Sequence, residues 1–392
     1  MAAPCILVTY VTAGAGHRRA AEAIAHALKR AYPRADIACV DVLDDTPRWF
    51  RRGYASTYLL LVRRLSLLWK SCYALLDHPI GYYLVQPIRR SWNLFIAQAF
   101  VRRVQRTPPD LIIATHFLPA DLCSAGTQAG WLRVPFVVMV TDWHPHRLWL
   151  YPNAERTVVA SQESRAVCEA RGLAPSRLAV CGIPIDINFG AAKDRATLQQ
   201  QFHLPSRRLT VLVTSGGTTV GHFEGVVNAL LALEQGYPNI MELLVVCGDD
   251  VRIQQRLTQQ AQTSAMPMRV FGFVSYMAEL MRLSDLIVAK AGGLTISEAL
   301  ALGVPLIFYH VIPGQEQMNA QYVVRHGAAL MAPTASTLTH AVERCLNEPG
   351  VLDTMQAAAK HLGRPRAAEE IVSRVIAPLL RPQSAVDSKT RP

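Results

Sequence analysis

Two segments far apart in the chain hold residues able to do chemistry. The first, Thr12 to Arg18, reads TAGAGHR and follows the apolar, strand-like run Cys5–Tyr10. Gly14 and Gly16 allow a tight turn that brings backbone N–H groups towards an anion or polar substrate. His17 then stands at the N-terminus of a helix predicted over Arg19–Ala31. The helix dipole there disfavours the imidazolium and keeps the ring able to accept a proton. That suits a general base acting on an attacking hydroxyl; the alternative is a capping histidine in a dinucleotide-like turn. The second segment, Ala289–Asn319, opens on Gly292–Gly293 after the apolar run Asp285–Ala289. Ile296, Leu300 and Leu302 set a helical period around Glu298, Val304–Tyr309 reads as a buried strand, and Pro313–Gln317 is a polar loop. Strand, glycine turn, helix, strand and loop form the half-site with which α/β proteins hold a nucleotide at strand ends. An acid in the helix and amides and acids in the loop suit a ligand that also carries sugar hydroxyls.

Further candidates are less specific. Ser215-Gly216-Gly217-Thr218-Thr219 ends a strand-like run and either presents amides to a diphosphate or simply makes a turn. Asp142, His144 and His146 follow another strand end, on what is expected to be the acceptor side. Their spacing in a loop with one acid is weak for zinc, and no metal site is expected. His116 ends the run Leu111–Thr115 and either contacts the acceptor or terminates the strand. No DxD sequence occurs, so a diphosphate would be stabilised by helix N-termini and backbone amides instead of a chelated metal.

The elements that must position these residues are legible as an alternation of strands and helices. Strands are predicted at Cys5–Tyr10, Ile37–Val40, Leu111–Thr115, Phe136–Val140, Thr157–Ala160 and Leu178–Cys181. A second series falls at Leu209–Thr214, Leu243–Cys247, Arg269–Phe273, Leu286–Ala289, Leu306–Tyr309 and Ala328–Met331. Strands rich in Val, Ile and Leu between helices signal parallel sheets covered on both faces. Two such series in 392 residues predict an α/β protein of two doubly wound, Rossmann-like domains facing across a cleft, the architecture called GT-B. The polar, proline-bearing stretch Gly182–Arg208 is the connection. The expected division is an N-terminal domain over 1–190, a linker over 191–208, a C-terminal domain over 209–365, and a closing helix with a disordered tail over 366–392.

Composition narrows the class. With 51% hydrophobic and 18% charged residues, the chain is globular, not disordered. Its eight cysteines include no CxxC pair and read as buried thiols in a reducing compartment. No secretory leader is visible, and no segment reaches the ~18 uninterrupted apolar residues of a spanning helix. A soluble chain, or one lying on a membrane, is expected. The net charge of +11 favours polyanionic partners without choosing among them. One region, Pro47–Arg106, breaks the alternation: aromatics such as Trp49, Tyr58, Trp69, Tyr83 and Trp92 interleave with Arg51–Arg52, Arg63–Arg64, Arg89–Arg90 and Arg102–Arg103, and Asp77 is its sole acid. Such a mixture suits an anionic membrane interface. Ordinary amphipathic helices with solvated arginines and a base-stacking nucleic-acid surface are the competing readings. The membrane surface is the partner expected, with no nucleic acid.

The motifs as a set resemble a known family. GAGHR looks like the GGGHR loop of monogalactosyldiacylglycerol synthases and the related processive diacylglycerol glucosyltransferases. VTDWHPHRLW (Val140–Trp149), CGIPID (Cys181–Asp186), FGFV (Phe271–Val274), KAGGLT (Lys290–Thr295), Ser297–Glu298 and PGQE (Pro313–Glu316) follow in family order, up to about Ala332. Ala15 replaces the middle glycine of the first loop. The resemblance implies a UDP-hexose donor, a diacylglycerol acceptor, inversion, no cofactor besides the UDP-sugar, and a peripheral place on the cytoplasmic face of a membrane. It implies His17 as base towards the glycerol hydroxyl. Phe271, Phe273 and Val274 would lie against uracil, and Glu298 would accept from both ribose hydroxyls. Gly292, Gly293 and Thr295 would surround the diphosphate, with Gly216 and Gly217 also on the donor side, and Gln315 and Glu316 would face the sugar. Gly14, Gly16, His116, Asp142, His146 and Trp149 would line the acceptor side. The alternatives are a polyprenyl-linked acceptor, a family with a second glutamine where Glu316 stands, a hydrolysing UDP-sugar epimerase, and a UDP-sugar sensor without turnover.

Overall fold

A computed structural model describes residues 3–12, 14–204, 208–216 and 222–380. Gly217, Thr218 and Thr219 of the second glycine turn lie outside the described residues, as do the tail 381–392 and the side chains of Tyr58 and Arg63. The first sheet comprises β1 (Cys5–Tyr10), β2 (Asp36–Asp41), β3 (Leu111–Ala114), β4 (Phe136–Met139), β5 (Arg156–Val159) and β6 (Leu178–Val180), in the order β2-β1-β3-β4-β5-β6. The second comprises β7 (Leu209–Thr214), β8 (Met241–Val246), β9 (Met268–Phe271), β10 (Leu286–Lys290), β11 (Leu306–His310) and β12 (Ala329–Met331), in the order β12-β11-β10-β7-β8-β9. Every pairing is parallel. Leu111–Ala114 and Phe136–Met139 are buried throughout, as strands covered on both faces must be, which is why they read as unbroken apolar runs. All twelve predicted strands are present.

Helices cover both faces of the first sheet: α1 (Ala15–Ala31), α2 (Arg48–Arg64), α3 (Ser66–Asp77), α4 (Pro79–Ile96), α5 (Gln98–Arg106), α6 (Phe117–Gln128) and α7 (Gln162–Ala170). The stretch 191–208, expected as a linker, contains α8 (Arg195–Gln201), and this helix belongs to the second domain. Leu198 and Leu204 join the core of the second sheet, and Arg195 pairs with Asp285 at 2.7 Å. The second domain adds α9 (Phe223–Leu231), α10 (Val251–Thr263), α11 (Met277–Leu283), α12 (Gly293–Ala301), α13 (Gln315–Arg325), α14 (Ala335–Asn347) and α15 (Val351–Leu362). The closing helix α16 (Ala367–Ile371), continued by helical turns to Leu380, crosses back to the first domain. Its Ile371, Val372, Val375 and Ile376 pack with Ile24 and Leu28 of α1.

Strand order decides where a ligand can sit. In each sheet the order reverses at one point: between β1 and β3 in the first, and between β7 and β10 in the second. Loops leave in opposite directions at such a point and open a crevice at the strand C-terminal ends. His17 and His116 follow β1 and β3, while Gly216 and Gly292–Gly293 follow β7 and β10. The two sheets turn these crevices towards one another.

The facing edges are joined by the loop after β4. Trp143 is almost fully buried between the domains; its backbone N–H donates to Asn319 Oδ1 at 2.8 Å and its indole N–H to the Gly293 carbonyl at 3.3 Å. Its ring lies 5.0 Å from that of Tyr322. Five of the cysteines are buried as expected, but Cys5 is only half-buried and Cys39 and Cys72 are exposed. Cys39 lies on the edge strand β2 and Cys72 on the outlying α3, where no sheet face covers them. Truncating an aromatic ring packed on all sides costs ~3–5 kcal/mol. Trp143→Ala should therefore lower the free energy of unfolding by that amount, read as a fall in the denaturant midpoint at constant m; an unchanged midpoint would mean that the domains are held together elsewhere.

Candidate active site

The His17 ring is held by the end of β3. Its Nδ1 lies 2.7 Å from the Thr115 carbonyl and 3.1 Å from Thr141 Oγ1. A carbonyl can only accept, so Nδ1 carries the proton and Nε2 keeps its lone pair. Thr115 also donates its hydroxyl to the His17 carbonyl at 2.9 Å. Burial lowers the His17 pKa below 6.5, against the opposing pull of Asp142 and the Thr115 carbonyl. The ring is thus neutral at pH 7, with its basic nitrogen defined. Gly14 caps α1 and leads into this turn, and a β-carbon at Gly14 or Gly16 would meet open space.

His116 stacks edge-on to His17 at 4.6 Å, and Trp149 is 6.1 Å away. His116 accepts the Leu118 N–H on Nδ1 at 3.0 Å and caps α6. Burial, with His17 beside it, pushes its pKa well down. Trp149 donates its indole N–H to Asp142 Oδ2 at 2.9 Å, and Gln315 donates its amide to Asp142 Oδ1. Asp142 therefore bridges the acceptor-side loop and the second domain. His146 commits both ring nitrogens to the protein: Nδ1 accepts from Leu148 N–H at 3.1 Å and Nε2 donates to the Tyr73 carbonyl at 3.0 Å. Its part is to fix the loop, with no nitrogen left for an acceptor or a metal.

On the other side of the cleft, Glu298 is 2% exposed and no hydrogen-bond donor among the described residues reaches it. Its only charged neighbour within ion-pair distance there is Arg19, whose Nη1 lies 3.7 Å from Oε1. Burial raises its pKa to about 7, with Arg19 lowering it and Asp186 raising it. A buried carboxylate without donors is costly unless a ligand supplies them. Gly292 caps α12, Gly293 begins it, and Thr295 is half-buried in its first turn. A β-carbon at Gly293 would drive into the Thr141 carbonyl, so only glycine allows the approach of the two domains here. Glu316 accepts the Ile312 N–H at 3.2 Å; burial raises its pKa, against Lys290 and that N–H. Gly216 adopts φ 72° at the end of β7 and faces Lys290. Phe271 ends β9 and gives its carbonyl to Cys247 N–H, Val274 is buried, and the Phe273 side chain is 71% exposed. The Phe273 and Val274 backbones make no hydrogen bonds to the described residues.

Among the residues expected at the site, His17, His116, Trp149, Asp142 and Gln315 are joined through direct contacts, while Gly293 is reached through Thr141 and Trp143, and Glu298 through Arg19. Thr115, Thr141, Trp143, Asn319 and Arg19 complete the arrangement without having been singled out. Thr141, Trp143 and Asn319 lay inside the conspicuous motifs, but only tertiary contact reveals their work.

The region 47–106 has two faces. Arg89 and Asn93 reach the fully buried Asp121 at 3.1 and 2.8 Å, while Arg51 and Arg103 pair with Asp44 and Asp45. These arginines, read as interfacial, hold helices in place. Asp77 receives Arg171 at 2.7 and 2.8 Å and the Arg147 N–H at 2.9 Å. Trp69 donates its indole N–H to the Pro313 carbonyl at 3.2 Å, and the Tyr73 ring would meet a β-carbon at Gly314. α3 thus touches both loops of the cleft. Outward, Ile80, Leu84, Ile88, Trp92 and Phe95 form one exposed stripe along α4, and Leu67 on α3 is 80% exposed. Of the seventeen large apolar side chains exposed among the described residues, twelve lie between Trp49 and Phe95, so the face is a patch and not scatter. No helix among the described residues is long and apolar enough to cross a membrane.

A neutral imidazole on one Rossmann-like domain and a buried carboxylate on the other thus lie at the facing ends of two sheets in a GT-B architecture. Residues 17–185 match the monogalactosyldiacylglycerol (MGDG) synthase family, and residues 210–371 match the glycosyltransferase family 28 C-terminal domain. The chain thus joins an MGDG synthase domain to a glycosyltransferase family 28 C-terminal domain. It is similar to a processive diacylglycerol beta-glucosyltransferase of Bacillus cereus (strain AH820), 29% identical over 276 residues, covering 70% of this chain and 69% of the relative. The enzyme of that name from Bacillus pumilus (strain SAFR-032) is 28% identical over 301 residues, 75% and 77% of the two chains. Among solved structures, S. aureus MnaA with UDP superposes with a TM-score of 0.62 at 13% identity, over 96% of this chain and 97% of that one. Acinetobacter baumannii MurG gives 0.60 at 16% identity, over 95% and 99%. At such identities the likeness concerns the fold.

His17→Ala should lower turnover ~10²–10⁴-fold while UDP still binds. Because the neutral ring is the active form and its pKa is depressed, the acid limb of kcat/KM should fall below pH 6.5. A limb above that value would assign the base elsewhere. Glu298 gives a second test. Its folded-state pKa of about 7 exceeds the ordinary 4.5, so the folded state binds the extra proton and stability falls as pH rises from about 4.5 through about 7. Glu298→Gln should remove that slope and raise the stability of the empty protein at pH 8 by up to ~3 kcal/mol, yet weaken uridine binding roughly 10–100-fold. Unchanged uridine affinity would separate Glu298 from the ribose.

Proposed function

We propose that this chain transfers a hexose from a UDP-sugar to the free hydroxyl of diacylglycerol, with inversion and without a metal ion. The observation that carries the proposal is the meeting of His17 and Glu298 in one cleft, through the Thr141–Gly293 contact and the Arg19–Glu298 pair. A proton acceptor on one domain and a carboxylate lacking donors on the other are what a hydroxyl nucleophile and a ribose diol require.

In the mechanism, His17 Nε2 takes the proton of the acceptor hydroxyl as its oxygen attacks the anomeric carbon. The bond from that carbon to the UDP oxygen breaks, and its electron pair leaves with the diphosphate. Attack from the face opposite UDP inverts the anomeric centre. The amides opening α12, with Gly216, favour the developing charge. Ribose hydroxyls donate to Glu298, the strand-end backbone at Phe273 and Val274 lies against uracil, and Gln315 and Glu316 face the sugar. His17 is fixed by Thr115 and Thr141, so little reorganisation is needed when the acceptor arrives.

The outward apolar stripe of α4 and the exposed leucines of α3 support peripheral attachment to a membrane, and we take the face concerned to be the anionic cytoplasmic one. Apolar side chains at that density suit the boundary between headgroups and acyl chains, and this position would bring a lipid hydroxyl to the cleft without a spanning helix. The test is a transfer assay with radiolabelled UDP-glucose and UDP-galactose, vesicles containing diacylglycerol, and EDTA added in parallel. A labelled lipid with EDTA present is expected, and the productive donor identifies the hexose. Label transferred only to a polyprenyl acceptor, release of UDP with an epimerised sugar, or no turnover would overturn the assignment, as would activity that EDTA abolishes and added metal restores.

A further inference from the structure

Among the described residues, Arg19 is the one cation within ion-pair distance of Glu298, and it comes from the facing domain. It follows His17 by two residues on α1, and its guanidinium is about half exposed. Its neighbour Arg18 is engaged on its own helix with Glu22 at 3.6 Å. The first turn of α1 contains no acidic residue, so two arginines lie near the positive end of the helix dipole, where cations are disfavoured. Such a placement gains nothing for the helix, but it builds a positive mouth facing the donor half-site.

The geometry of the pair is informative. At 3.7 Å and without a hydrogen bond, the guanidinium compensates the Glu298 charge while leaving both carboxylate oxygens available to other donors. Glu298 follows the start of α12 at Gly293 by five residues, a rise of ~7.5 Å along the axis. A nucleotide whose ribose diol sits on Glu298 thus has its diphosphate near the amides that open α12, within the sweep of the long Arg19 side chain.

We propose that Arg19 is a donor-binding residue contributed by the acceptor-side domain. In the empty cleft it compensates the charge of Glu298; when the ribose hydroxyls occupy that carboxylate, the guanidinium pairs with the diphosphate. As the bond between the anomeric carbon and UDP breaks, the electron pair passes to the diphosphate oxygen, and Arg19 offsets the added negative charge. The site thereby gains a second cation, beside Lys290 of the donor half, when the two domains are together, so part of the leaving-group stabilisation is tied to closure. This inference rests on the UDP-sugar reading of the cleft and adds a source of positive charge.

Calorimetric titration of the full chain with UDP and with uridine tests it, using wild type, Arg19→Ala and Arg19→Lys. Arg19→Ala should weaken UDP ~10-fold or more and change uridine affinity by less than ~3-fold, with Arg19→Lys recovering part of the UDP affinity. Equal weakening of both ligands would mean that Arg19 serves Glu298 alone, and no change in either would remove it from the site; both results overturn this inference and leave the donor reading intact. Wild-type protein that binds neither ligand would overturn both.

Discussion

Where the cleft closes, two backbones touch: the Thr141 carbonyl lies where any side chain at position 293 would have to be. Everything at the site depends on this approach. Thr141 also holds His17 through its hydroxyl, and Gly293 begins the helix that carries Glu298. The proton acceptor and the carboxylate are therefore tied to the same contact. Trp143, wedged beside it with its N–H on Asn319, fills the seam with a close-packed ring that resists sliding.

The electrostatics of the cleft are those of a site awaiting a polar ligand. Burial holds His17 neutral and drives Glu298 towards protonation, and only Arg19 opposes the latter among the causes acting on it. Asp142 is different, since its two oxygens are already met by Trp149 and Gln315. The protein meets both oxygens of one carboxylate and, among the described residues, leaves the other without hydrogen-bond donors. A structural core would not keep that second carboxylate, because polar groups buried without partners cost stability.

α3 and α4 connect this site to the outer surface. One side of α4 is locked to Asp121, and α3 is clamped through Asp77 to Arg171 while its Trp69 and Tyr73 lean on Pro313 and Gly314. The opposite sides present leucine, isoleucine and aromatic rings outward. The composition of this region was conspicuous in the sequence, yet its division into an anchoring face and an exposed face was not. Arg89 and Trp92 are equally plausible surface residues by type, and helical periodicity alone does not say which way a stripe points.

Local pattern was enough for the strands, and for singling out His17 and Glu298 as candidates beside their glycine turns, because buried parallel strands are apolar throughout and nucleotide-type turns need glycine at fixed places. The segment 191–208 was harder: its proline and polar residues concealed α8, whose few apolar side chains matter only once the second sheet offers them a surface. Likewise His146 resembled a site histidine until both its nitrogens were seen to be engaged in the loop. Sequence by itself determined which chemical groups the protein owns and which strand ends they follow, since those depend on neighbours a few residues away. Tertiary structure alone decided which groups meet, which nitrogen of His17 bears the proton, and that Arg19 faces Glu298, because these depend on contacts between segments far apart in the chain, 98 residues for His17 and Thr115.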